Sequence, residues 1–238
     1  MRISIYNIDW AKKYNNRSHI KKIEEILLQT NSNIIIVTES VDSLVLTNYN
    51  YVYKTHSIPS NSDYEGINYA KYLNGEIAIR VAIYSKYECI HSFPVIDATT
   101  SICKKFNTEM GSITIYATII GTRFNKKPYA ENELNNCIAD CIEISNLTSD
   151  LCIIGDLNTS FINTELYHEI KYINSRQALV NLCEKCGIDL TTKGIPENID
   201  HILLSSEIAA KHKIEIAVFI EKNELSDHKG ILIDITSK

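Results

Sequence analysis

Glycine is scarce in this chain of 238 residues: there are eight, and no two lie closer than seven positions. That spacing excludes the G-x-G-x-x-G turn of dinucleotide-binding folds and the P-loop, both of which need clustered glycines to bring backbone up against a phosphate. H-E-x-x-H and G-x-S-x-G are missing as well, which removes the zincin and serine-hydrolase readings. No apolar run approaches the ~20 residues that a membrane span needs, so no membrane association is expected. Met1 leads straight into RISIYNID, with no basic stretch followed by an apolar one, and a secretory signal is not expected either. Cysteine is odd in number, at seven; without an export signal this predicts reduced thiols in a cytoplasmic protein. Nor is there an excess of positive charge: 24 Lys+Arg against 29 Asp+Glu give −5, which argues against a basic coat but leaves room for a local basic groove.

What the chain does have is apolar substance, at 45% hydrophobic residues, enough to fill a core and to argue against disorder. Strand-like and helix-like segments alternate along it. Residues 2–8 alternate apolar and polar side chains as a half-buried strand does. Residues 17–30 put Ile20, Ile23, Ile26 and Leu27 on one helical face, with Lys21, Lys22, Glu24 and Glu25 largely opposite. Ile34-Ile35-Ile36-Val37 is a β-branched run typical of a buried strand. The Asn/Ser-rich stretch 55–75 reads as a long loop. Strands are expected near 76–84, 87–92 and 112–120, and a helix over 129–146. Residues 151–154 form a buried strand broken by Gly155, 164–186 is helical, and strands follow at 199–204, 213–220 and 230–235. With no linker and no repeat, this predicts a single layered α/β or α+β domain over 1–238. Cys137 with Cys141, and the lone C-x-x-C of Cys183 and Cys186, have spacings that could serve zinc or redox chemistry. Both pairs lie in helix-like segments where that spacing also faces a core, and the packed reading is favoured.

Polar residues gather where strands end. Asn7 and Asp9 close the first strand, Glu39 follows IIIVT, Asp156 and Asn158 follow LCIIG, and Asp227-His228 precedes GILIDI. Strand ends are where sites form, although an Asn or Asp after a strand is commonly a turn or cap residue. Asp200 differs, because it sits between Ile199 and the apolar Ile202-Leu203-Leu204. An acid buried there requires a cation, a protonated His or a hydrogen-bond donor.

Taken in order, Asn7 in RISIYNID, Glu39 in IIIVTES, GDLN at 155–158, IDHILL at 199–204 and SDH at 226–228 resemble the successive motifs of the endonuclease/exonuclease/phosphatase superfamily, the deoxyribonuclease I-like proteins that include abasic-site endonucleases. GDLN and the terminal SDH are the most specific of these, and the motifs span nearly the whole chain. The resemblance implies a four-layer sandwich, two packed β-sheets with helices on both outer faces, and a divalent metal between the sheet ends. By the same resemblance Glu39 is the principal metal ligand, with Asn7 and Asp227 contributing, and hard oxygen donors suit Mg²⁺ or Mn²⁺. Asp156 would orient or deprotonate the attacking water and Asn158 would hold the water or a phosphate oxygen. Asp200 would fix the His228 imidazole and favour its protonated form beside the phosphate. The family usually has a His or Tyr after the strand that here reads ITIYATIIGTRFN, where this chain has Ile119-Ile120-Gly121; Arg123 is the nearest replacement.

Lys12, Lys13, Arg17, Lys21 and Lys22 follow Asn7, and Arg123, Lys126 and Lys127 follow the 112–120 strand, with Trp10, Tyr14, Phe124 and Tyr129 interleaved. Basic loops bearing aromatics around a metal site suit nucleic acid, with DNA favoured; no obligate protein partner is implied. Solvated Lys-rich loops are the plain alternative. The expected activity is that of a phosphodiesterase, a DNA endonuclease or exonuclease. A phosphatase or phosphodiesterase acting on inositol phosphates, phospholipid headgroups or small nucleotides, or an inactive binding protein on the same fold, are the alternatives.

Overall fold

The computed structural model describes residues 1–11, 17–58, 77–121, 128–165, 170 and 174–238, together with the backbone of 63–64 and 67–68. The β-branched runs form the centres of two sheets. The first has the order β14-β15-β1-β2-β7-β3, built from β14 (His212–Ile220), β15 (Gly230–Ser237), β1 (Arg2–Asn7), β2 (Ile34–Val41), β7 (Ala78–Ser85) and β3 (Tyr51–Lys54), with the short β4 (Ser57–Ile58) also on β7. The second runs β12-β13-β11-β10-β9-β8, from β12 (Ile188–Asp189), β13 (Asp200–Ser205), β11 (Leu151–Asp156), β10 (Gly111–Ile119), β9 (Ser101–Thr108) and β8 (Cys89–Phe93). A separate two-stranded ribbon pairs β5 (Asp63–Tyr64) with β6 (Ile67–Asn68). Both sheets are mixed: β1 runs parallel to β2 and β10 parallel to β11, while the remaining pairs are antiparallel.

Alternation along the strands sorts three apolar layers. Ile3, Ile5, Ile34, Ile36, Val81 and Ile83 of the first sheet meet Ile113, Ile115, Ile154, Ile202 and Leu204 of the second in a core between the sheets. The outer face of the first sheet (Tyr6, Ile35, Val37, Ala82, Tyr84) is covered by Ile20, Ile23 and Leu27 of α1 (Arg17–Gln29). The outer face of the second (Tyr116, Ile153, Leu203) is covered by α2 (Tyr129–Ser145) and α3 (Ser175–Cys186); α4 (Ser206–Lys211) is short. The result is the four-layer sandwich, with open sheets.

Several boundaries differ from the expectation. The strand read as broken at Gly155 continues through it to Asp156, because residue 155 packs where a Cβ would stand 1.8 Å from the Thr118 carbonyl oxygen. Here glycine permits a close approach of strands and does not interrupt one. The helix expected over 164–186 is described only from Ser175, and 166–169 and 171–173 lie outside the described residues. Strands β3 and β9 were not expected, and neither was β4 within the stretch read as loop. The four helical cysteines pack as core: Cys137, Cys141 and Cys183 are buried in the α2–α3 layer and Cys186 half-buried beside them. Burial and the neighbouring Cys137 push the Cys141 thiol well up, and burial pushes Cys183 up to about 12, which keeps both in the thiol form expected of core cysteines. No described helix is long and apolar enough to cross a membrane.

Candidate active site

The directions of the strands decide where the polar residues meet. β1, β2, β10 and β11 all finish at one end of the sandwich, and β13 and β15 start there. That end therefore collects Asn7, Glu39 and Asp156 from strand termini, and Asp200 and His228 from strand beginnings. Two hydrogen bonds cross from sheet to sheet. Asn7 Nδ2 donates to Asp156 Oδ2 at 2.9 Å, and His228 Nδ1 donates to Asp200 Oδ2 at 2.6 Å. Among the described residues, Asp156, Asp200 and His228 form the one group of His, Cys, Asp or Glu whose ligand atoms all lie within 4.8 Å of one another.

Each side chain is held by its own turn. The Asn7 Oδ1 accepts from Asp9 N (2.8 Å), so both ends of its amide are oriented, and the chain then makes a short left-handed turn through Asp9, Trp10 and Ala11. Asp156 Oδ1 accepts from Asn158 N (2.9 Å), and Asn158 Nδ2 donates to Ile120 O (2.8 Å). Asn158 sits at φ 46°, a left-handed conformation that Asn tolerates. Glu39 has the same φ of 46°, uncommon for Glu, and strain of that kind concentrates at functional sites. The Asp200 side chain is buried, and that of His228 is 12% exposed. Asp227 is mostly exposed, its Oδ1 3.7 Å from His228 Nε2.

The electrostatics of the cluster follow from burial and neighbours. Burial by itself lowers the His228 imidazole, but the charge and hydrogen bond of Asp200, joined by Asp156 and Asp227, outweigh it and raise its pKa to about 10. That balance favours the imidazolium, with Nδ1 and Nε2 both protonated. Asp156 moves well above the usual carboxylate range, through burial first, then the Asp200 charge, with Glu39 adding to it; His228 and the Asn158 N–H oppose the shift. Three carboxylates thus crowd one end of the sandwich, and Asp200 Oδ1 is buried with no hydrogen-bond partner. A hard divalent cation is what such a set of oxygen donors fits, since it would offset the repulsion that raises Asp156.

Two buried residues here escaped the sequence reading. Arg80 lies in β7 directly across from Glu39, because Thr38 pairs with Val81 and Ser40 with Ile79. It is fully buried, and its Nη1 reaches 3.5 Å from Glu133 Oε1 at the start of α2. Thr38, opposite Asn7, is buried with no partner for its hydroxyl. An Arg inside a strand of apolar neighbours was the available signal for the first, since such a residue must bring a counter-ion with it. Of the proposed substrate contacts, Arg17 is exposed at the start of α1 on the site end. Lys12, Lys13, Arg123 and Lys126 lie outside the described residues. Ile119 and Ile120, where the family His would fall, are buried.

No family model matches the sequence, and no curated protein matches it. Solved structures do. A 3′-5′ exonuclease from Neisseria meningitidis superimposes with a TM-score of 0.68 at 14% identity, over 99% of this chain and 100% of that one. An AP endonuclease from Archaeoglobus fulgidus gives 0.67 at 16% identity, over 99% of each chain. An endonuclease/exonuclease/phosphatase from Beutenbergia cavernae gives 0.68 at 12% identity, over all of this chain and 71% of that one. The chain has the deoxyribonuclease I-like fold of the endonuclease/exonuclease/phosphatase proteins.

Proposed function

We propose that the protein is a divalent-metal-dependent phosphodiester hydrolase, a single domain over 1–238 that cleaves nucleic acid, DNA in first place, as an endonuclease or exonuclease in a reducing cytoplasm. The observation that carries this reading is the Asp200–His228 ion pair set within 4.8 Å of Asp156, itself bridged to Asn7 from the opposite sheet. The structural neighbours include an exonuclease and an AP endonuclease, which supports the same reaction class.

Hydrolysis of a phosphodiester gathers negative charge on the phosphoryl oxygens. The His228 imidazolium, kept charged by Asp200, stabilises that charge from a fixed direction. Asp156 takes the proton of the attacking water, and a hydrogen bond from Asn7 holds the carboxylate in place. Asn158 spends one amide hydrogen on Ile120 O, which orients the other toward the water or a phosphoryl oxygen. Glu39, with Asn7 and Asp227, would hold Mg²⁺ or Mn²⁺, whose chemistry is to polarise the phosphoryl group. Arg17, Lys12, Lys13, Arg123 and Lys126 would receive the flanking phosphates.

The test is nicking of supercoiled plasmid by purified protein with Mg²⁺, with Mn²⁺ and with EDTA. Metal-dependent nicking that falls at least about a thousandfold in Asp156→Ala is expected, the scale on which removing a general base acts. Equal nicking by the variant would overturn the assignment. No nicking in any metal would move the reading to small phosphate esters or to an inactive binder.

A further inference from the structure

On the edge of the sandwich away from β12 and β14, the edge strands of the two sheets part to leave a cleft of about 350 Å³. One wall comes from the end of β3 and the following Thr55 and His56; the other comes from β8, the β8–β9 connection and the start of β9. The backbone closes its end, with His56 N donating to Ala98 O at 2.8 Å. We propose that this cleft is a second phosphate-binding site, occupied by a backbone phosphate of a nucleic-acid strand a few nucleotides from the bond being cut. The proposal rests on the nuclease reading and adds to it where the strand runs.

Its chemistry is one-sided. Lys54, His56 and Lys104 line the cleft, and among the described residues no carboxylate does. Lys104 is anchored: Nζ donates to Ser92 Oγ at 2.6 Å and stands 5.5 Å from the centroid of the Tyr53 ring. Lys54 shares its charge with Asp42 at 2.7 Å, but that carboxylate is half exposed and outside the lining, so the lining itself keeps a positive balance. The Ser92 hydroxyl and the apolar wall around Phe93 complete a surface that offers a phosphate both charge and a donor and gives the attached sugar or base an apolar face. Free anions of the same chemistry could enter, but position favours a strand.

That position is set by hydrogen bonds that run outward from the proposed catalytic residues. Asn158 Nδ2 donates to Ile120 O, Ile120 N donates to Asp156 O at 3.0 Å, and Ile119 N donates to Thr100 O at 3.0 Å. Ser101, the next residue, lines the cleft. Strand β9 is two strands from β11, about 10 Å at the usual strand spacing. That puts the cleft a short way along a strand whose scissile phosphate sits at Asp156 and His228.

The experiment uses the full chain and two probes, a single-stranded decadeoxynucleotide and bis(p-nitrophenyl) phosphate, which is too short to span both places. In Lys104→Glu, KM for the decanucleotide is expected to rise about tenfold with kcat little changed. The ratio of the two probes' kcat/KM values should fall by the same factor, and the salt slope should shrink by about 0.7, the value for one lost single-strand phosphate contact. Lys104→Gln, which removes the charge without reversing it, should show a smaller rise in the same direction. An unchanged KM, or a loss of equal size on both probes, overturns the cleft. A second readout separates this from failure of the nuclease reading: ¹H–¹⁵N spectra of the wild type in EDTA, titrated with the decanucleotide. Shifts of the His56 and Lys104 amides that vanish in Lys104→Glu support the cleft even if no bond is cut. Their absence in the wild type overturns it.

Discussion

Asp200 and His201 are neighbours in sequence and opposites in state, because adjacent residues of a strand face opposite sides of the sheet. Asp200 faces the site and holds a charged imidazole, that of His228. His201 faces the helical layer, where Nε2 donates to Thr159 O at 3.0 Å and Nδ1 accepts from the Thr192 hydroxyl at 3.0 Å, with the Phe161 ring edge-on at 4.6 Å. That pair of partners suits the neutral ring, and burial lowers its pKa to about 4. The contribution of His201 to stability is therefore fully present above pH 6.5 and is lost as pH falls toward 4. That of His228, raised to about 10, is fully present below pH 6.5 and is lost as pH rises through 10. The two windows meet at pH 6.5 with opposite slopes, and a variant assigns each slope to its residue. We expect the stability difference between wild type and His201→Gln, measured by urea unfolding, to shrink by about 2 kcal/mol between pH 7.5 and pH 5. A constant difference would mean that folding does not shift the His201 pKa, and one that grows toward pH 5 would mean that His201 is charged in the fold. The sequence made the Asp200 partnership readable, because an acid among apolar residues demands one, whereas the state of the adjacent His201 depends on Thr159 and Thr192, which no local pattern encodes.

At the scale of elements, legibility followed composition. Runs of Ile and Val were found because burial on both faces leaves them nothing else to be, as at 34–37 and 151–154. Strand β9 was missed because Lys104 and Lys105 break its pattern. In the fold Lys105 is satisfied by Asp150 at 3.0 Å and Lys104 by Ser92 and Tyr53, contacts that no local pattern encodes. Strand β3 is an edge strand with two tyrosines and a lysine, and β12 has only two residues. Gly155 was misread for a related reason: a glycine that ends a strand and one that lets two strands close look the same in sequence. The structure separates them, and Gly155→Ala tests the difference. A Cβ 1.8 Å from the Thr118 carbonyl oxygen must push β10 and β11 apart, which should destabilise the protein by about 2 kcal/mol or more and lower turnover by moving the adjacent Asp156. Wild-type unfolding midpoints and rates for that variant would restore the strand-break reading.

For the whole molecule, the candidate site belongs to neither sheet alone. Asn7, Glu39 and His228 come from the first, Asp156 and Asp200 from the second, and Arg80 reaches from the first sheet to Glu133 on the helix that covers the second. A cation held by Glu39 and Asn7 next to Asp156 should therefore stabilise the entire fold and not one loop. At a hundredfold excess over Kd, Mg²⁺ should add about 2.7 kcal/mol of unfolding free energy over EDTA, and Glu39→Ala should lose most of that gain. Equal gains in both proteins would remove Glu39 from the metal site. The order of the motifs along the chain made this assembly legible in outline, but the cross-sheet partners are separated by as many as 149 positions and only the folded chain brings them together.

Those two bridging hydrogen bonds work as a gauge of alignment. Sliding one sheet over the other by an ångström would leave every ladder within each sheet intact and most of the apolar contacts between them merely rearranged. It would nevertheless stretch the Asn7–Asp156 and Asp200–His228 contacts together, since both span the same seam. Under the proposed function, catalytic competence is thus tied to registry between the layers more tightly than folding is. A substitution deep in the inter-sheet core, far from any phosphate, can silence the protein through shear while its melting behaviour hardly changes.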